Sequence, residues 1–117
     1  MAIKAIPDTI ELYTGDGIAR MVVPSTLDGL KLNSIGAHVF TAGSSGNNTI
    51  MLYNETKSVD ILTTGVIIEV SETDSSTSGT PALISANNTV NTADVLRIDV
   101  DTKSTGAKGL EVRMTFK

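Results

Sequence analysis

The stretch Leu110-Glu-Val-Arg-Met-Thr-Phe-Lys117 alternates apolar and polar residues without a break. Leu110, Val112, Met114 and Phe116 share one side; Glu111, Arg113, Thr115 and Lys117 share the other. Successive side chains of a strand point to opposite faces, so this period of two specifies a half-buried strand. The same reading extends outward along the chain. In Asp94–Asp101, Leu96, Ile98 and Val100 oppose Arg97, Asp99 and Asp101. In Thr49–Glu55, Ile50 and Leu52 alternate with Thr49, Met51 and Tyr53. In Ser34–Thr41, Ile35, Ala37 and Val39 alternate with Gly36, His38 and Phe40. Val66, Ile68 and Val70 line one side of the next strand, with Glu69 opposite. Residues 17–24 alternate less cleanly, Ile18, Arg20 and Val22 against Ala19, Met21 and Val23. Two shorter strands are expected, one with Ile10 and Leu12 facing together and one at Pro81–Ala86 with Leu83 inward.

Turn residues separate these runs: Gly15-Asp-Gly17, Asp28-Gly29, Gly43-Ser-Ser-Gly46, Ser78-Gly79, Asn87-Asn88 and Gly106-Ala-Lys-Gly109. Gly and Asn tolerate positive φ, and Asp and Ser side chains bond nearby backbone. Helical pattern is confined to one short turn near Ser25–Gly29, with Ser25 or Thr26 as its cap. About eight strands at short spacing predict an all-β chain: a single antiparallel β-sandwich, jelly-roll-like. The polar segment Glu72-Thr-Asp-Ser-Ser-Thr-Ser-Gly-Thr-Pro81 looks like a linker, but the three short strands after it make a poor core of their own. It is therefore expected to be a surface loop of one domain spanning residues 9–117, with residues 1–8 forming an N-terminal arm or a first edge strand.

Composition narrows function. The net charge is −4 and the nine basic residues are scattered, which argues against nucleic acid as a partner. No apolar run approaches a membrane span. Pro7 and Asp8 interrupt the place where a signal peptide would continue its apolar stretch, so synthesis in a cytoplasm is expected. There is no Cys, hence no disulfide and no thiolate metal site. The sequons at Asn47, Asn54 and Asn87 are read as chance matches in an Asn- and Thr-rich chain.

Chemistry has few places to sit. His38 is the one histidine, and no serine stands in a nucleophile-elbow sequence, so a hydrolytic triad is not expected. Asp99 and Asp101 share a face and invite a Ca²⁺ or glycosidase reading. The competing reading is a solvated strand face, with Arg97 and Asp99 forming a surface pair of little consequence. Gly15-Asp-Gly17 lacks the spacing of a phosphate loop. The expectation is a non-enzymatic protein without metal or cofactor.

Binding is the better prospect. Phe40, Met51 and Tyr53 fall opposite their strands' apolar sets, as do Met21 and Val23, which suggests a second face covered by another subunit. Ile3 and Ile6, flanking Lys4, suit strand addition to a neighbouring sheet. Ser75, Ser76 and Thr77 lie in the long 71–80 loop, and loops on a rigid scaffold carry contacts.

The succession "GDGIARMVVPSTLDGLKLNSIGAHVFTAGSSGNNTIMLYN" (15–54), "DILTTGVIIEVSE" (60–72) and "NTADVLRIDVDTKSTGAKGLEVRMTFK" (91–117) resembles small β-sandwich virion proteins of tailed bacteriophages, including head decoration (cement) proteins and related fibre modules. The resemblance is one of overall pattern from about Gly15 to Lys117, with no invariant functional residues to carry over. It implies a structural domain, often a homotrimer, that binds the major capsid protein on the capsid surface and staples capsomers. A receptor- or glycan-binding fibre module is the alternative it leaves.

Overall fold

A computed structural model describes all residues, 1–117. It contains ten strands: β1 (Ala2–Glu11), β2 (Gly15–Val22), β3 (Leu32–His38), β4 (Asn48–Asn54), β5 (Val59–Asp60), β6 (Leu62–Thr64), β7 (Val66–Ile68), β8 (Leu83–Ile84), β9 (Val95–Thr102) and β10 (Lys108–Phe116). Two single 3₁₀ turns, Ser25–Leu27 and Ser75–Thr77, complete it. The chain is all-β and every strand pairing is antiparallel.

The order in one sheet is β1-β10-β3. In the other it is β2-β9-β4-β5, with β7 also pairing β4; β6 and β8 form a separate ribbon. The chain is thus rolled up from its two ends. The final strand lies between the first and third, and the penultimate strand between the second and fourth. Both sheets and the ribbon feed one cluster of 20 buried apolar residues, so the segments before and after 72–81 share a single core. Residues 2–8 lie in the edge strand β1.

Most of the alternation appears as read. Leu110, Val112 and Met114 on β10, Leu96, Ile98 and Val100 on β9, and Ile50 and Leu52 on β4 are all buried. The exceptions have local causes. Between Ile6↔Leu110 and Glu11↔Lys108 the register of β1 shifts, so Pro7–Ile10 face only Gly109. This bulge interrupts the alternation, and Ile10, expected to share a face with Leu12, is exposed while Leu12 is buried. Beyond a second shift, between Gly15 and Ala19, β2 keeps one register with β9 from Ala19 to Val22. Val23 is fully buried and Met21 packs on the same core, while Arg20 and Val22 point out. Val23 and Met21 therefore serve this chain's own core rather than a second subunit. Strand β7 ends at Ile68, which leaves Val70 outside it and exposed. In the ribbon it is Ile84, not Leu83, that packs inward; Leu83 is exposed. The 3₁₀ turn at Ser25 forms without any side-chain cap, so neither Ser25 nor Thr26 plays that role.

Candidate functional site

The residues singled out in the sequence fall in three separate places. Ile6 is 0% exposed in the core and Ile3 is half-buried against it, so both are buried where β1 seats on β10 and leave no free apolar edge. Phe40 stands just beyond β3 and is 64% exposed. The isolated bridge Thr41↔Lys108 next to it holds Phe40 against Gly109, and a Cβ placed on Gly109 would lie 3.0 Å from the Phe40 Cβ. An aromatic ring across from a strand glycine fills the missing side-chain volume. Met51 and Tyr53 lie half-buried on the outer face of β4, on the other sheet; Met51 packs against this chain's own core rather than awaiting a second subunit.

That outer face holds the densest polar cluster. Arg97 sits 4.4 Å from the Tyr53 ring centroid, a cation–π stack. Its Nε and Nη2 donate to Asp99 at 2.8 and 3.0 Å. Asp99 Oδ1 also accepts the Gly17 N–H at 2.8 Å, because the bulge of β2 folds over it. Asp99 is consequently only 4% exposed, and the pair expected to be an inconsequential surface contact is largely desolvated. Its bonds hold the Arg97 guanidinium above its ordinary pKa, outweighing the effect of burial. Asp16 and Glu55 flank Arg97 at 3.7 and 3.8 Å. Beside them the Asp101 carboxyl is pushed up, first by burial and then by the charges of Asp99, Asp16 and Asp60. Arg97 covers one side of the Tyr53 ring, so this ring is not an open platform for a sugar.

The third place is the 71–80 segment, which folds back along the free edge of β3. Thr73 O accepts the Val39 N–H at 2.8 Å, and Ser75 Oγ accepts the Ala37 N–H at 3.0 Å. Asp74 caps the 3₁₀ turn through the Ser76 N–H and is gripped by Arg113 Nη1 and Nη2 at 2.8 and 2.9 Å. Arg113 reaches it by crossing Gly36, where a Cβ would meet the guanidinium at 2.7 Å. His38 Nδ1 lies 3.2 Å from the same carboxylate. Arg113, foremost, lowers the Asp74 pKa far below the usual carboxylate range. The histidine is therefore part of a pin that fastens the loop. Ser75, Ser76, Ser78 and Pro81 then wall a cleft of about 400 Å³ against Asn33–Ile35 of β3 and Val66–Ile67 of β7. Its rim is hydroxyl-rich and its floor aliphatic, with Arg113 the one charged lining residue. Thr77 faces away, donating to Glu72 and the Asp74 carbonyl.

Sequence reasoning missed a buried polar knot. Asn54, 0% exposed, donates Nδ2 to Asp94 Oδ2 at 3.0 Å; the Asn91 N–H reaches the same oxygen at 3.0 Å. Lys57 Nζ stands 3.4 Å from it and donates to Thr89 O and Asn91 Oδ1. The clue was parity. Asn48, Ile50, Leu52 and Asn54 all lie on the inward side of β4. The Asn54 sequon is thereby sealed inside.

No protein-family model, curated protein or solved structure matches this chain.

Proposed function

We propose that the chain is a non-enzymatic virion structural protein of a tailed bacteriophage, a capsid decoration protein that binds the major capsid protein and stabilises the head. On this reading it is made in the host cytoplasm, assembles as a homotrimer and resides on the capsid surface. The nested strand order supports the jelly-roll-like likeness on which the reading rests. The observation that carries it is Phe40. An aromatic side chain stands 64% exposed beside the end of β3, braced across Gly109. Phe is among the residues enriched at protein–protein interfaces.

The test is co-sedimentation of the purified protein with undecorated heads and, in parallel, with tails. Head binding that falls at least ~10-fold for Phe40→Ala, with the unfolding midpoint unchanged, supports the proposal. Pelleting only with tails moves the protein to a fibre. Binding to neither, or full head binding by Phe40→Ala, removes the reading. The hydroxyl-rimmed cleft favours a second reading as a glycan- or receptor-binding module. Glycan-array signal that is lost in Ser76→Phe, which fills the cleft, supports it.

A further inference from the structure

We infer that β1 is exchanged between copies of this chain, with β1 of one copy seated on β10 of another. The argument begins with connectivity. β1 and β2 are consecutive in sequence but belong to different sheets, so no hairpin ladder ties them together. The polar contacts that β1 makes beyond itself run to one neighbour. It pairs with β10 alone, the Met1 ammonium donates to Met114 O at 2.9 Å, and Lys4 lies 3.9 Å from Glu111. Leu12, just past the strand, donates its N–H to Ala107 O, immediately before β10. What joins this unit to the rest of the chain is Tyr13-Thr14. Both residues are exposed, and neither takes part in a side-chain or loop hydrogen bond. A two-residue link that must cross from one sheet to the other is the kind of short connection that favours exchange.

The occupant follows from burial. Ile3, Ala5, Ile6 and Leu12 present an apolar side that cannot remain in water once β1 leaves. The surface that fits it residue for residue is β10 of an identical chain, so all the contacts of β1 are kept and only the link changes path. Exchange also gives Tyr13 a place. This ring, 49% exposed, sits on the link itself, where the crossing segments of exchanging copies run beside each other. The inference concerns copies of this chain only and stands apart from the virion reading.

The chain has no cysteine, which makes the test clean. Lys4 and Glu111 are direct cross-strand partners with exposed side chains. Opposed residues of this kind lie within disulfide reach. Lys4→Cys and Glu111→Cys chains are unfolded together in equal amounts, refolded and oxidised. Exchange joins about half of the Lys4→Cys chains covalently to Glu111→Cys chains, since half of the neighbours carry the matching thiol. The double variant then yields a covalent oligomer on a non-reducing gel. A double variant locked as a covalent monomer, with no cross-linked species in the mixture, overturns the inference. Light scattering on the unaltered chain guards against misfolded variants: a monomeric mass at every concentration overturns it too, and insertion of Gly-Gly-Ser after Tyr13 is expected to shift an oligomer toward monomer.

Discussion

Replacing Asp94 by Ala removes the acceptor on which the buried knot converges. Asp94 is 5% exposed and its Oδ2 receives the Asn54 amide, the Asn91 N–H and the Lys57 ammonium. In the variant the Asn54 Nδ2, fully buried, keeps no partner. An orphaned buried donor costs about 1–3 kcal/mol, and the Asn91 N–H, only partly buried, adds a fraction of that. Lys57 retains Thr89 O and Asn91 Oδ1, so its loss is small. The sum is about 3 kcal/mol, which in a domain of this size lowers Tm by roughly 10 °C. Asp94→Asn, which can still accept one bond, loses about half as much. The assay is urea unfolding at pH 7 with the m-value held as a check that the unfolded state is unchanged. The effect is pH-linked. Burial alone would raise the Asp94 pKa, but the bonds from Asn54, Asn91 and Lys57 outweigh it and leave the folded value below the ordinary one. Its contribution is therefore complete above the unfolded pKa near ~4 and disappears as pH falls through the lower folded value. A loss under ~0.5 kcal/mol at pH 7, as for a solvated surface aspartate, refutes the reasoning.

Asp101 runs the other way. Its pKa is raised, so its ionised form opposes folding; Asp101→Asn is expected to stabilise the protein at pH 7, with the gain vanishing as pH falls below both pKa values, read from urea midpoints across pH 3–7. Gly109→Ala is expected to cost at least ~2 kcal/mol by thermal unfolding: φ is +72°, and the new Cβ meets the Asp8 Cα, a backbone atom, at 2.9 Å.

Legibility in the sequence depended on whether a strand keeps one register. β4, β9 and β10 hold register where they cross the core, so period two named Ile50, Leu96, Ile98, Val100 and Val112 as core without error. β1 carries a register shift in mid-strand, and alternation across it misplaced Ile10. On β2 the run from Ala19 to Val22 keeps register, but both sides of residues 18–23 are apolar, so alternation could not choose the inward one and Val23 was assigned to the wrong side. Polar identity misled at Asp99 and Asn54. Burial there is set by distant partners, 40 residues apart for Asn54 and Asp94 and 82 for Gly17 and Asp99. The 71–80 loop reads as solvated because its composition is polar, whereas Arg113, 39 positions beyond Asp74, pins it. Phe40 and Tyr53 were found on their outward sides because their strands hold register.

The rolled-up strand order also has a consequence for synthesis. β9 and β10 are interior strands of the two sheets, yet they are the last of the ten strands to be made. Until Val95–Phe116 has emerged, β1 and β3 have no common partner, and neither do β2 and β4. Neither sheet can close on a nascent chain, and the ordering step waits for contacts between the two ends of the sequence. Chains dominated by such distant pairings fold slowly, in milliseconds to seconds. For that interval the apolar sides of β1 and β3 are open, and neighbouring chains on one message have time to meet.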